Sequence, residues 1–261
     1  MTSSEKTSSS AEIRPFRIEI PQDELNDLHT RLSEPRSPDE LPGVGWNYGA
    51  PLGYVKELAG YWRSSYDWRK QEARLNKLSQ FTTMIDGTNI HFVHVRSREP
   101  KALPLIITHG WPSSFVEFLE IIDPLTNPRA HGADASDAFH LVIPSIPGFG
   151  FSGLTHETGW DIGRIARAWA VLMKRLGYDR YGAQGGDWGS PISRDLGLVS
   201  GDHVIGVHLN NLFSPPPSDP EELAKLTVEE RVRLETGRYR ITGTMKLAGC
   251  PPISRRDKAP I

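Results

Sequence analysis

Gln184-Gly185-Gly186-Asp187-Trp188-Gly189-Ser190 is the stretch on which the fold turns. Arg180 to Gln184, just before it, reads as a short strand, and Trp188 to Val199 reads as a helix. The frame is Gly-x-Asp-x-Gly. A sharp strand-to-helix turn that presents a reactive side chain needs small neighbours, because larger ones would clash with the tight backbone. The same frame with Ser at its centre occurs nowhere in the chain. An aspartate there is a candidate carboxylate nucleophile at the N-terminus of the next helix. The alternative is an N-cap aspartate in a Gly-rich turn.

Working outward, strands and helices alternate. Phe81 to Ile85, the Asp86-Gly87 turn and Ile90 to Val95 form a hairpin pattern. Leu103 to Thr108 and Phe139 to Ile143 are short apolar runs suited to buried strands, and Ser113 to Leu125 lies between them as a helix. Ile162, Ile165, Ala166, Trp169, Leu172, Met173 and Leu176 follow the 3.6-residue period, so a helix is predicted there. Val204 to Leu209 is one more strand. This alternation predicts an α/β fold, a mostly parallel sheet with flanking helices.

Two loops flank the predicted pocket. Thr108-His109-Gly110-Trp111-Pro112 follows a buried strand, where His-Gly suits an oxyanion-binding loop. The amides of Trp111 and Trp188 are the predicted donors, and Trp111-Pro112 is a candidate cis bond. Pro144 to Ser152, with Phe149 and Phe151, is a Pro- and Gly-bounded loop predicted to frame the pocket.

Five segments are predicted. Residues 1–11 are a Ser/Thr-rich disordered lead-in. Residues 12–80 are a helical meander: Pro21 to Leu32 reads as a helix, and Tyr54, Tyr61, Trp62, Tyr66 and Trp68 are read as core rather than a ligand cage. Residues 81–212 carry the α/β core. Residues 213–244 open a helical cap, with Asp219 to Tyr239 charged and helical in pattern. Residues 245–261 form an aberrant tail.

Composition narrows the classes. Thirty Lys and Arg against 32 Asp and Glu give a net charge of −2, which removes the electrostatic case for nucleic acid or an anionic membrane. The single cysteine, Cys250, excludes a disulfide framework and a Cys-based zinc site. No apolar run reaches membrane-spanning length and no secretory signal is evident, so a cytoplasmic protein is expected.

The motifs resemble those of the epoxide hydrolase family, of the microsomal type, within the α/β-hydrolase fold. The matching residues are His109-Gly110-Trp111-Pro112, Pro147-Gly148-Phe149-Gly150-Phe151-Ser152 and Gly185-Gly186-Asp187-Trp188-Gly189. Trp46-Asn47-Tyr48-Gly49, Tyr61-Trp62 and Tyr66-Asp67-Trp68-Arg69 resemble the N-terminal meander of that branch. The resemblance implies that Asp187 attacks a small hydrophobic epoxide to form an ester, hydrolysed by a His-activated water to a vicinal diol. It implies Trp111 and Trp188 as oxyanion donors, His109, Gly110, Pro112, Gly186, Phe149 and Phe151 as motif and pocket residues, and no cofactor or metal. A haloalkane dehalogenase-like enzyme is the alternative, and a non-catalytic remnant or interaction module a further one.

The sequence departs from the family pattern after the elbow, where the expected order is nucleophile, acid, His. The histidines after Asp187 are His203, in a turn, and His208, on a strand and too early to be the base. Tyr239 lies between Arg238 and Arg240 and is not assigned as an epoxide-activating tyrosine. Thr244 to Ala248 stands where the first cap tyrosine is expected. A frameshift or premature stop within the cap is the expectation. The sheet would then lack its last strands, the cap would be incomplete, and Val204 to Leu209 would be an unpaired hydrophobic edge open to self-association. Ester formation without multiple turnover is expected.

Overall fold

A computed structural model describes residues 11–212 and 219–236. The chain divides into two compact units between Leu212 and Phe213, each described by itself.

The first unit is built on a seven-stranded sheet. Its strands are β1 (Arg14–Phe16), β2 (Gln80–Ile85), β3 (Thr88–Val95), β4 (Leu103–Thr108), β5 (Phe139–Pro144), β6 (Tyr181–Gly185) and β7 (Val204–Leu209), in the order β1-β2-β3-β5-β4-β6-β7. β1, β2, β3 and β5 are antiparallel neighbours. β5, β4, β6 and β7 run parallel. The chain leaves β4 for β5 on one side and returns to β6 on the other. The strand order therefore switches at the carboxyl end of β4, where a doubly wound sheet opens a crevice.

Helices cover both faces. α5 (Ile162–Arg175) and α6 (Gly189–Val199) bury Ile165, Trp169, Leu172, Met173, Ile192 and Leu196 against one face. α5 is capped by Asp161, whose side chain accepts the Arg164 amide. Its expected apolar stripe is the buried one. α3 (Trp68–Leu75) and α4 (Leu119–Thr126) contribute Leu75 and Ile122 to the opposite face, beside Phe115 and Phe118.

The N-terminal region differs from its expected form in two ways. It is not wholly helical: Arg14 to Phe16 forms β1 and pairs with β2. Of its aromatic stripe only Trp68 packs against the core. α1 (Gln22–Ser33) and α2 (Leu52–Ser64) contain no buried residue. Tyr54, Tyr61, Trp62 and Tyr66 are exposed. Leu25, Leu28, Leu58, Tyr61 and Trp62 instead line a groove of about 800 Å³ between the two helices. The helical period was correctly legible, but the depth of the face it generates depends on tertiary packing.

α3 fastens the entering chain through side chains. Asn76 Oδ1 accepts the Ile18 amide and Asn76 Nδ2 donates to the Ile18 carbonyl, both at 2.8 Å. Glu72 Oε1 accepts the Ile20 amide at 2.8 Å. These bonds satisfy backbone groups that no strand partners. The helix expected over Ser113 to Leu125 is a 3₁₀ turn over Phe115–Phe118 followed by α4, with Ser114 capping the turn.

β7 is an edge strand among the described residues, with Ile205 and Val207 exposed. No helix among the described residues is long and apolar enough to cross a membrane.

In the second unit, α7 (Pro220–Lys225) starts with Pro220 in its first turn and Asp219 as its cap. The helical run expected over Asp219 to Tyr239 is broken at Leu226, whose backbone is extended. A second helix spans 228–236. Thr227 and Glu230 cap it reciprocally: Thr227 Oγ1 accepts the Glu230 amide and Glu230 Oε2 accepts the Thr227 amide. Tyr239, Thr244 to Ala248 and Cys250 lie outside the described residues.

Candidate active site

Strand register assembles the site. Thr108, the last residue of β4, lies beside Gly185, the last residue of β6. The two loops that follow, His109-Gly110-Trp111 and Gly186-Asp187-Trp188, therefore leave the sheet side by side. Beneath them the Trp169 indole donates to Thr108 Oγ1 at 3.0 Å, tying α5 to the end of β4.

Asp187 has φ 49°, in the left-handed region that non-glycine residues rarely adopt. Strain of this kind persists when the surroundings over-determine it. Glycine supplies the room. A Cβ on Gly189 would lie 2.0 Å from the Thr108 carbonyl oxygen, and one on Gly110 would lie 2.7 Å from Asp187 Cβ. A Cβ on Gly185 would likewise lie 2.0 Å from the Gly189 carbonyl oxygen, so the Gly-x-Asp-x-Gly frame is a packing requirement on both sides of the aspartate.

The side chain of Asp187 does not cap α6. The N-cap position falls on Trp188 and carries no side-chain cap. Asp187 Oδ1 instead accepts the Trp111 amide at 2.8 Å. The amides of Trp111 and then Trp188 hold its carboxyl below the usual carboxylate range. The two expected donors thus converge on this carboxylate, with Oδ1 occupied at Trp111. Trp111, Trp188 and Phe149 are each exposed. The Trp111–Pro112 bond is cis.

The remaining motif residues separate into two groups. Gly186 packs against the Asn210 side chain at the end of β7, and the Asn210 amide donates to the Gly185 carbonyl at 3.2 Å. His109 and Phe151 were expected among the motif and pocket residues, but both turn inward. His109 is fully buried, with Nδ1 at 2.8 Å from the Gly110 carbonyl and Nε2 accepting the Ile146 amide at 3.1 Å. Burial lowers its pKa. Phe151 packs at 5.5 Å from Phe16, 5.4 Å from His91 and 6.1 Å from Phe115. Alternation of ring and glycine in Phe149-Gly150-Phe151 sends one ring out and the other into the core.

A buried node fastens the loop of Phe149, and the sequence reading missed it. His91 is inaccessible, and burial pushes its pKa down to about 4. Its Nε2 donates to Gln80 Oε1 at 3.0 Å and its Nδ1 accepts from Ser145 Oγ at 2.9 Å. The His91 amide donates to Ser152 Oγ, which donates to the Ser145 carbonyl. A polar residue at a central position of a hairpin strand between covered faces was the available signal.

His203 and His208 lie away from this chemistry. His203 stands at the amino end of β7, opposite the elbow, and its Nδ1 donates to the Asp179 carbonyl at 2.8 Å. His208 is exposed on β7 in register with Gln184. Among the described residues, no histidine hydrogen-bonds Asp187, and no group of three His, Cys, Asp or Glu could hold a metal ion.

Comparison with known proteins bears on the fold and the family. Residues 13–118 match the family model for the epoxide hydrolase N terminus, and residues 104–240 match that for the alpha/beta hydrolase fold. The chain is 48% identical over 198 residues to a putative epoxide hydrolase of Stigmatella aurantiaca, covering 76% of this chain and 45% of that protein. It is 42% identical over 202 residues to epoxide hydrolase 1 of Sus scrofa, covering 76% and 44%. The structure of the Aspergillus niger epoxide hydrolase superposes with a TM-score of 0.71 at 34% identity, over 92% of this chain and 62% of that one. The chain spans about half the length of the curated relatives it matches. It is an α/β hydrolase by fold and elbow, and it belongs to the epoxide hydrolase family.

Proposed function

We propose that this chain opens small hydrophobic epoxides through Asp187. The carrying observation is the Trp111 amide on Asp187 Oδ1, which leaves Oδ2 as the attacking oxygen. The carboxylate attacks an epoxide carbon, the C–O bond breaks, and the ring oxygen leaves as an alkoxide that takes a proton from solvent water. The product is a hydroxyalkyl ester on Asp187. Oδ1 becomes the ester carbonyl oxygen. The Trp111 amide is then already aimed at the oxyanion that forms when water attacks the ester carbon, and the Trp188 amide also donates to this carboxyl group. The match of residues 13–118 to the epoxide hydrolase N terminus favours an epoxide over a haloalkane.

His203 and His208 are the histidines after Asp187 in the 261-residue chain, and neither is placed to activate a water at its ester. The 261-residue polypeptide is therefore expected to accumulate the ester. Incubation with a small aryl epoxide, followed by peptide mass spectrometry, tests this. An adduct of one epoxide mass on Asp187 supports the reading. An unmodified Asp187 without diol release refutes ester formation, and sustained diol release refutes accumulation. The exposed edge of β7 supports self-association by strand pairing, with Ile205 and Val207 on its faces; a sedimentation coefficient independent of concentration would refute it.

A further inference from the structure

We infer that His109 is a positioning residue: its imidazole fixes the rotation of the Gly110–Trp111 peptide and so aims the Trp111 amide at Asp187. The inference deepens the proposed function and rests on it for its catalytic meaning.

The Gly110 carbonyl and the Trp111 N–H belong to one peptide unit. The cis bond of this loop is the next one, Trp111–Pro112, so the Gly110–Trp111 peptide is trans and its C=O and N–H point in opposite directions. His109 Nδ1 stands 2.8 Å from the carbonyl oxygen on one side. Asp187 Oδ1 stands 2.8 Å from the amide nitrogen on the other. Holding the oxygen fixes the direction of the hydrogen.

The tautomer follows from the partners. A carbonyl oxygen only accepts, so Nδ1 must carry the proton. The Ile146 N–H donates to Nε2 at 3.1 Å, so Nε2 must be bare. The ring is therefore neutral with its proton on Nδ1, and a second proton would displace Ile146. It is fully buried, so water cannot substitute for either bond. Without the Nδ1 bond the glycine at 110 leaves its peptide free to rotate, since no Cβ restrains it. A flipped peptide would turn a carbonyl oxygen toward the Asp187 carboxylate and abolish the donor. Gly110 provides the room for Asp187, and His109 provides the direction.

Two replacements separate the two ring nitrogens. In His109→Asn the Nδ2 amide occupies the position of the Nδ1 donor and the Ile146 acceptor is lost. In His109→Gln the Oε1 oxygen occupies the Nε2 position and the Gly110 donor is lost. The readouts need no substrate: the Asp187 carboxyl titration by carbon NMR and the chemical shift of the Trp111 amide proton. His109→Gln is expected to raise the Asp187 midpoint by about one pH unit and to move the Trp111 amide upfield. His109→Asn is expected to keep both near their wild-type values. Adduct formation from an aryl epoxide is expected to be about 100-fold slower in His109→Gln than in His109→Asn. Equal behaviour of the two variants in the titration would overturn the inference.

Imidazole nitrogen shifts in the unaltered chain give a test independent of whether either variant folds. A proton on Nδ1 of His109 supports the inference, and a proton on Nε2 overturns it. If no epoxide modifies Asp187 in any form while the titration behaves as expected, the proposed function fails and the role of His109 stands.

Discussion

Asp187 Oδ1 and the amide of Trp111 are joined at 2.8 Å across 76 residues of chain. The bond links two loops that leave adjacent parallel strands, so it reports whether β4 and β6 are in register at their carboxyl ends. It also pre-places one carboxylate oxygen where charge develops in a tetrahedral intermediate.

The first consequence concerns acid. Backbone amides favour the ionised carboxyl, so the Asp187 pKa lies below its ordinary value of 3.8. Lowering a carboxyl pKa keeps the nucleophile anionic as the pH falls. The rate of adduct formation should be flat from pH 7 down to about pH 5 and lose half its value below 3.8. Rapid-quench mass spectrometry across this range measures it, and a midpoint above 3.8 would contradict the assignment. Asp187→Asn should yield no adduct.

Gly110→Ala should injure the site through sterics alone. The added Cβ meets Asp187 Cβ at 2.7 Å and Oδ1 at 2.8 Å. A cost of about 1–3 kcal/mol is expected, together with a roughly 100-fold slower adduct formation, because misplacement of a reacting group by about 1 Å has that effect. Urea unfolding and adduct kinetics on one preparation separate the two. Unchanged kinetics in a folded variant would show that the contact is relieved elsewhere.

His91 should make stability depend on pH above the carboxylate range. Its pKa is about 4 when folded, against an ordinary value of 6.5. Between these values the unfolded chain binds the additional proton, so stability is present at neutral pH and declines as the pH falls from 6.5 toward 4. The effect is on the order of 3 kcal/mol for a fully buried imidazole. Denaturant unfolding at pH 7 and at pH 4.5 measures the decline. A His91 ring that titrates near 6.5 by NMR would remove its cause.

Glu72 acts in a lower window. The Ile20 amide is the first cause that holds its pKa below 4.5, with further help from Arg69 and Trp68. Its contribution is present above the unfolded value and lost as the pH falls through the folded one. Glu72→Ala should cost about 1–3 kcal/mol by leaving the Ile20 amide unpaired, and Glu72→Gln less, since an amide oxygen can still accept. The acid slope of stability should flatten in both. A slope that persists in Glu72→Gln would assign it to another carboxylate.

How much of this was legible in the sequence differs from element to element. The elbow was legible because Gly185, Asp187 and Gly189 satisfy a local steric rule, and a local rule leaves a local pattern. α5 was legible for the same reason: Ile165, Trp169 and Leu172 bury one face at the helical period. The antiparallel flank was only half visible. The β2–β3 hairpin has its own turn at Asp86-Gly87, whereas Arg14 to Phe16 becomes a strand solely because β2 offers an edge more than 60 residues later. The exposure of Tyr61 and Trp62 was not legible, since apolar periodicity marks a face but not what faces it. At the site, Asp187, Trp111 and Trp188 were placed by motif. The roles of His109 and His91 required knowing that Ile146 and Ser145 lie against them, which sequence spacing does not convey.

The clamp of α3 on the entering chain behaves as a two-tooth gauge. Glu72 and Asn76 are four residues apart on a helix, an axial step of about 6 Å. Their targets, Ile20 and Ile18, are two residues apart in extended chain, a step of about 6.6 Å. The two spacings agree closely enough for both teeth to engage at once. A slip of one residue would offer the wrong side of the backbone to both. The threading of the N-terminal segment is thus measured by two side chains, and one inserted residue between Ile18 and Ile20 would disengage one tooth while leaving the seven-stranded sheet intact.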